Sequence, residues 1–85
     1  MASIHPEKLY RKELSDRLKV ARERKRMSQA DMGKALRITK ERYQKMEQRG
    51  ALPPYLFEPF ALIVEEDALY ILTGRREKEP ARRVA

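Results

Sequence analysis

Polar side chains with both donors and acceptors recur on one side of a predicted helix between residues 39 and 48. Tyr43 and Met46, three residues apart, mark the opposite, apolar side of that helix. The polar side carries Lys40, Glu41, Gln44, Lys45 and Gln48. A lysine can donate to O6 and N7 of guanine, and a carboxylate can accept from N4 of cytosine. The pattern therefore favours reading base edges in a DNA major groove, although an ordinary helical hairpin whose charged side faces water could show the same spacing.

A second short helix precedes this segment and would have to position it. Ser28 followed by Asp31 matches a loose capping box, and Met32 and Leu36 then supply apolar positions four apart. Gly33 lies where the two helices would cross, and its missing side chain lets the backbones approach. We predict helix two at about residues 28–36, a short turn, and a recognition helix at about residues 39–48, which together make a helix-turn-helix.

The rest of the chain predicts a small all-α domain. A first helix fits residues 7–26, with Pro6 in its first turn, and a last short helix fits residues 68–73 before Gly74. Pro59 would cost about 3 kcal/mol in a helix interior, so we expect the fourth helix to begin near Phe57 or Glu58. The expected organisation is an N-terminal arm over residues 1–6, one compact five-helix domain over residues 7–74, and a basic disordered tail over residues 75–85.

The charges of the 85 residues are segregated along the chain. Residues 7–50 hold 15 basic and 7 acidic side chains, whereas residues 51–74 hold four acids and no lysine or arginine. With five basic and two acidic side chains in residues 75–85, the formal net charge is +7. Such a chain favours a polyanionic partner, with nucleic acid first and an anionic membrane surface second. The few aromatic residues in the basic part argue against stacking on single-stranded RNA.

The residue types present exclude several classes of protein. The chain has no cysteine and a single histidine, His5, which predicts no metal site, no cofactor and no enzymatic nucleophile paired with a base. There is no apolar run of about 18 residues and no hydrophobic signal-peptide segment, so we expect neither a membrane span nor export. A cytoplasmic, nucleoid-associated protein is the resulting expectation.

From Arg17 to Gly74 the chain resembles the XRE family, the Cro and lambda-repressor-like helix-turn-helix DNA-binding domains. The segment MSQADMG at residues 27–33 is similar to the family's opening of helix two, and Ile38-Thr39-Lys40 to its entry into the recognition helix. Met46-Glu47 stands where the family has an apolar residue followed by Glu. Phe60-Ala61 and the closing LYILTG at residues 69–74 complete the series. The resemblance implies a lambda-repressor-like fold and binding to double-stranded DNA.

The resemblance also implies roles for individual residues. Gln29 corresponds to the glutamine that packs against the recognition helix and touches a phosphate, and Thr39 to the residue that caps this helix. Lys40, Glu41 and Lys45 match the base-reading positions, with Arg42 and Gln44 beside them, and Arg49 is a candidate for phosphate contact. A half-site containing G·C pairs follows as an expectation. Arg22 and Glu47 match a partly buried structural ion pair of the family.

Two positions depart from the family pattern. Arg37 stands at the first turn position, where the family usually has glycine with a positive φ, and a side chain there costs on the order of 1 kcal/mol. Tyr43 replaces the usual isoleucine or valine and brings a hydroxyl that needs a hydrogen-bond partner.

The last two helices carry more apolar surface than one small core can bury. We expect exposure, and use in a homodimer interface, for five residues: Leu52, Tyr55, Leu56, Leu69 and Tyr70. The function expected is a bacterial or phage transcriptional repressor that binds a palindromic operator as a homodimer. An alternative from another class is an antitoxin-type protein, whose apolar C-terminal half binds a toxin while the same helix-turn-helix binds DNA.

Overall fold

The computed structural model describes residues 5–76, which form five helices and no strand. The helices are α1 (Pro6–Arg24), α2 (Gln29–Ala35), α3 (Lys40–Arg49), α4 (Pro54–Val64) and α5 (Ala68–Thr73). The predicted all-α, five-helix architecture is confirmed for this part of the chain. The first four residues of the expected arm, and the expected tail from residue 77 onward, lie outside the described residues. Within residues 5–76, no helix combines the length and the apolar character needed to cross a membrane.

Local sequence signals set most of the helix ends. The hydroxyl of Ser28 accepts from the N–H of Asp31, whose carboxylate accepts in return from the N–H of Ser28, at 2.9 and 3.0 Å. This reciprocal pair begins α2, whereas α3 begins with a single cap, in which the Thr39 hydroxyl accepts from the N–H of Arg42. Gly50 ends α3 in the left-handed conformation, with φ +62°. A Cβ at Gly50 would lie 1.9 Å from the carbonyl oxygen of Arg11, so the approach of α1 to the end of α3 leaves no room for a side chain there.

One apolar stripe from each helix meets in a single core. The fully buried side chains are Leu14, Leu18, Met32, Tyr43, Phe60 and Ile71. The expectation that Leu52 and Leu56 would be exposed is wrong, because both are 5% exposed and belong to this core. Leu56 lies on the face of α4 that also carries Phe60, and the connector before α4 turns Leu52 inward. Burying a leucine contributes about 1.5–3 kcal/mol, which favours this arrangement over exposure.

The fourth helix begins earlier than predicted, and Pro59 lies inside it. Pro54 occupies the first helical position, where its missing N–H leaves no hydrogen bond unmade. Pro59 is exposed, so the carbonyl of Tyr55, which loses its usual partner, can bond to water. The buried positions Leu56, Phe60 and Val64 recur every four residues. The burial of this stripe outweighs the local cost of the proline.

Ion pairs and capping interactions join α1 to the acidic half of the chain. The guanidinium of Arg17 donates to the carbonyl oxygens of Ile71 and Leu72 at 2.8 and 3.1 Å, and so caps the C-terminal end of α5. Arg24 pairs with Glu66 at 3.2 Å, and Lys25 pairs with Glu65 at 3.0 Å. Two basic side chains at the end of α1 therefore face the loop between α4 and α5.

Two residues of the expected tail, Arg75 and Arg76, lie within the described part of the chain, and the disorder expected over residues 75–85 stays a prediction. Arg76 pairs with Glu66 at 3.2 Å, and its guanidinium carbon lies 3.9 Å from the centre of the Tyr70 ring. A carboxylate that already faces Arg24 and an aromatic face are therefore both available to this arginine. The chain is held against α5 as far as residue 76.

Candidate nucleic-acid interface

Helices α2 and α3 cross at a glycine. A Cβ at Gly33 would lie 3.0 Å from the carbonyl oxygen of Thr39 and 3.1 Å from that of Ile38. The N–H of Ile38 donates to the carbonyl of Gly33 at 2.8 Å, which closes the turn onto α2. A side chain at residue 33 would require the backbone of residues 38–39 to shift by a few tenths of an ångström. The small residue therefore permits the close approach of α2 to the start of α3.

The turn between the two helices contains a left-handed arginine. Arg37 has φ +63°, the conformation in which the resemblance places glycine. A non-glycine residue pays roughly 1–2 kcal/mol for this conformation. The neighbours of Arg37 offset that cost, because Leu36 is buried and Ile38 packs against the core. The turn thus keeps its shape despite an unfavourable residue.

A buried carboxylate connects α3 to the two helices before it. Glu47 is 4% exposed, and one of its oxygens accepts from Arg22 Nε at 2.8 Å and from the Tyr43 hydroxyl at 2.9 Å. The other oxygen accepts from Gln29 Nε2 at 2.8 Å and from Arg22 Nη2 at 3.2 Å. Arg22 also donates to the carbonyl of Met27 at 2.7 Å, in the loop that leads to α2. These contacts fix α1, α2 and α3 relative to one another.

The protonation states of this cluster follow from its contacts. Burial alone would raise the pKa of Glu47, but the hydrogen bonds from Arg22, Gln29 and Tyr43, with the positive charge of Arg22, hold that pKa below its ordinary value. The hydrogen bond to Glu47 raises the pKa of Arg22 against the opposing effect of burial. Burial and the nearby carboxylate raise the pKa of Tyr43. The cluster therefore contains a charged pair and a neutral tyrosine at neutral pH.

Tyr43 joins the polar cluster to the apolar core. Its ring is fully buried and stacks against Phe60, with ring centres 6.5 Å apart and planes 12° apart. Its hydroxyl, for which the sequence indicated no particular partner, donates to Glu47. An isoleucine or valine at residue 43 could fill part of the same space but could not supply that donor.

The outer surface of α3 is polar and exposed along its whole length. Thr39 caps the helix, with its hydroxyl accepting from the N–H of Arg42 at 3.1 Å. Of the residues predicted to contact DNA, the structure places six on this outer surface: Lys40, Glu41, Arg42, Gln44, Lys45 and Arg49. They are therefore accessible to a duplex approaching α3 from outside.

The two edges of this outer surface differ in chemistry. One edge carries the neutral amides of Gln44 and Gln48 and borders a polar cleft of about 310 Å³ against α1. The other edge carries Arg42, Lys45 and Arg49 around a shallower depression of about 230 Å³. The sequence reading grouped Gln48 with the polar side of α3 but gave it no role, although its spacing of four from Gln44 was the available signal.

Gln29 is held by α3 rather than presented outward. Its side-chain amide donates to Glu47, as required for packing against the recognition helix, and the residue is half-buried. The first turn of α2 also carries Asp31, whose pKa is lowered by hydrogen bonds from the backbone and side chain of Ser28. That carboxylate is negative at neutral pH and would oppose an approaching phosphate. The phosphate contact that the resemblance implies for Gln29 stays a prediction.

The predicted interface residues that are not in the core lie on two different helices. Tyr55 on α4 is 65% exposed, and its hydroxyl accepts from Arg42 of α3, a contact that the sequence did not indicate. Leu69 on α5 is 46% exposed, whereas Tyr70 is half-buried beneath Arg76. The sequence reading missed Leu62 on α4, which is 73% exposed.

Comparison with known proteins agrees with this geometry. A family model described as a helix-turn-helix domain matches residues 13–59, more than half of the chain, from the middle of α1 to the middle of α4. No curated protein and no solved structure gives a significant match. The matched segment contains α2, the turn and α3 in full, together with the Arg22 and Glu47 pair that fixes them. The chain therefore belongs to the helix-turn-helix domain family, in agreement with its resemblance to XRE-type domains.

Proposed function

We propose that this protein is a sequence-specific regulator of transcription that binds double-stranded DNA and acts as a repressor. The observation that carries the proposal is the outer surface of α3, which is exposed while the buried carboxylate of Glu47 holds the helix rigidly from behind. An α-helix of this kind fits the width of a major groove. A protein that occupies a promoter in this way would repress by excluding polymerase. Binding to chromosomal DNA would place the protein at the nucleoid.

We assign base-reading roles to three side chains of α3. Lys40 and Lys45 would donate to guanine O6 and N7, and Glu41 would accept from cytosine N4. Gln44 lies beside them on the amide edge, and Arg49 near the end of the helix would bind a phosphate. This set of donors and acceptors favours a half-site that contains G·C pairs.

We further propose that the protein binds DNA as a homodimer. The acidic half of the chain carries exposed apolar side chains, among them Leu62, Leu69 and Leu72, on helices that hold no lysine or arginine. A surface of that kind would be repelled by DNA, but it could pack against the same surface of a second copy. A two-fold dimer would present two α3 helices one turn of DNA apart, about 34 Å.

Selection of bound sites from random duplex DNA tests the proposal directly. The expected result is an inverted repeat whose half-sites contain G·C pairs and lie about one helical turn apart. An enriched site without inverted symmetry would contradict the homodimer while retaining sequence-specific binding. No enrichment at low salt, with a folded protein, would contradict DNA recognition itself.

A second candidate is an antitoxin-type protein that binds a toxin through its apolar C-terminal half and regulates its own gene through the helix-turn-helix. The observation that favours it is the exposure of Leu62, which a monomer gains nothing by leaving in water. Copurification of one stoichiometric partner, encoded beside this protein and released by Leu62→Lys, would support this function. A pure homodimer from the native host would contradict it.

A further inference from the structure

A side-chain hydrogen bond joins the recognition helix to the start of the next helix. Arg42 Nη2 on α3 donates to the hydroxyl oxygen of Tyr55 on α4 at 3.2 Å. Both side chains are exposed, and Tyr55 is among the most exposed apolar residues of residues 5–76, at 65%. Because both groups are exposed to water, neither needs this partner, and what the contact adds is a restriction on where the guanidinium lies.

Arg42 belongs to a cluster of three basic side chains on α3. It lies with Lys45 and Arg49 around the depression of about 230 Å³, whose remaining lining is Met46 and Ala51. Among residues 5–76 no ion pair involves these three cations, in contrast to Arg11, Arg22 and Arg24 of α1, which pair with carboxylates. A ring of three unneutralised cations around an apolar floor matches the backbone of a nucleic acid, which alternates phosphates with sugars. The cluster is thus chemically suited to the backbone rather than to a base edge.

The first turn of α4 contributes little to such a site through its backbone. Its N-cap is Pro53 and its first residue is Pro54, and neither has an N–H to donate. The N–H of Leu56 donates to the carbonyl of Pro53 at 2.9 Å. Apart from the N–H of Tyr55, an anion at this edge of α3 would therefore have to be held by side chains. Tyr55 is the residue of α4 whose side chain reaches the cluster.

We propose that Tyr55 is a positioning residue of the DNA-binding surface, whose hydroxyl holds the Arg42 guanidinium for contact with a phosphate of the DNA backbone. Arg49 flanks the same phosphate-binding edge, and the neighbouring sugar packs over Met46 and Ala51. An arginine fixed in this way loses less conformational freedom on binding than a free one. The inference rests on the proposed function, and it moves Tyr55 from the dimer interface to the DNA-binding surface.

Binding of the full chain to two labelled duplexes tests this inference, one carrying the selected site and one of scrambled sequence. Tyr55→Phe keeps the aromatic ring and removes the hydroxyl. We expect it to weaken binding to both duplexes about threefold to tenfold, the usual range for one hydrogen bond. The matched control is Tyr10→Phe, which removes an exposed hydroxyl on α1 and should leave both affinities unchanged. Thermal unfolding and the oligomeric state of Tyr55→Phe should equal those of the wild type.

A double-mutant cycle separates positioning from independent contact. Arg42→Ala should weaken binding to both duplexes and lower the slope of log affinity against log salt by about one. In that background, adding Tyr55→Phe should cost nothing further, because the hydroxyl acts through Arg42. Losses that add in full would overturn the inference, as would a loss confined to the selected site or a change in oligomeric state. Wild-type affinity of Tyr55→Phe would overturn it and leave the proposed function standing, whereas a wild type that binds neither duplex overturns both.

Discussion

Arg22 Nε lies 2.8 Å from a carboxylate oxygen of Glu47, and both side chains are buried. The pair joins the first helix to the recognition helix across 25 residues of sequence. Because Gln29 and Tyr43 donate to the same carboxylate, each of its two oxygens accepts two hydrogen bonds. The pair is therefore a structural centre of the helix-turn-helix, and its loss should affect folding before it affects DNA contact.

Arg22→Ala should strongly destabilise the domain. It leaves the buried Glu47 carboxylate without its counter-ion, which costs about 3–5 kcal/mol in comparable buried pairs. Chemical denaturation followed by circular dichroism measures the change in the free energy of unfolding. The matched control is Arg42→Ala, an exposed arginine, for which we expect less than about 0.5 kcal/mol. A loss below about 1 kcal/mol for Arg22→Ala would show that the carboxylate is solvated.

Acid should destabilise the protein through the same carboxylate. The pKa of Glu47 is lower in the folded state than the value of about 4.3 usual in an unfolded chain. The unfolded state therefore binds the proton more readily, and the stability that Glu47 contributes is present above that value and is lost as pH falls through the folded pKa. Denaturation curves from pH 7 to acid should show this decline, and Glu47→Gln should show a shallower one. Equal pH dependence in both proteins would contradict the assignment.

Replacing a lysine and replacing an arginine of α3 should have different effects on DNA binding. Lys45→Ala should relax sequence choice, with about 1–3 kcal/mol of discrimination lost at one base pair, because it removes a base contact. Arg49→Ala should weaken binding to every duplex by a similar factor, because it removes a phosphate contact. Competition binding with the selected site and single-base variants measures both. An equal loss on all sequences for both variants would contradict the roles assigned.

Arg37→Gly should make the domain slightly more stable. Glycine removes the penalty of roughly 1–2 kcal/mol for the left-handed conformation. Its greater freedom in the unfolded chain, however, destabilises the folded state by about 0.5–1 kcal/mol. A net gain of up to about 1 kcal/mol in the free energy of unfolding is expected from thermal or chemical denaturation. Lys34→Gly, three residues earlier in α2, is the contrasting control and should cost about 1 kcal/mol. Destabilisation of both variants alike would mean that Arg37 makes a compensating contact.

Leu69→Lys should convert the proposed dimer to a folded monomer. Leu69 is 46% exposed on α5, so a lysine is tolerated by the monomer, whereas in an apolar interface between copies it would bury a charge. Sedimentation velocity measures the oligomeric state, and circular dichroism confirms the fold. Leu9→Lys on α1, where the leucine is 42% exposed, tests whether any exposed leucine has this effect. A dimer that survives Leu69→Lys would place the interface elsewhere.

Signals close together in sequence predicted more of this structure than contacts between distant residues did. Ser28 with Asp31, Thr39 and the glycine after α3 indicated helix ends that depend on neighbouring residues alone, so five helices and the helix-turn-helix could be expected. Arg22 and Glu47 could be paired from the family resemblance. The Arg42 contact with Tyr55 and the capping of α5 by Arg17 depend on how helices approach in space.

The errors about burial have the same origin. Leu52 and Leu56 were expected on the surface, and Leu62 was not, because composition shows how much apolar area exists but not which side chains face inward. Pro59 misled the prediction of where α4 begins, since its intrinsic cost was weighed without the buried stripe that opposes it. Local propensity decides where a helix begins only when the alternative starting points bury similar amounts of apolar surface.

The internal pairing of Arg17, Arg22, Arg24 and Lys25 changes how the formal charge of +7 should be understood. The number of counterions released from DNA on binding follows the number of phosphates that the protein neutralises. These four cations already form ion pairs or hydrogen bonds within the protein, so they contribute less to that number. The slope of log affinity against log salt should thus be smaller than the formal charge of +7 suggests. Salt would also weaken the exposed ion pairs between α1 and the acidic half of the chain. Ionic strength therefore lowers the stability of the free protein as well as its affinity for a polyanion.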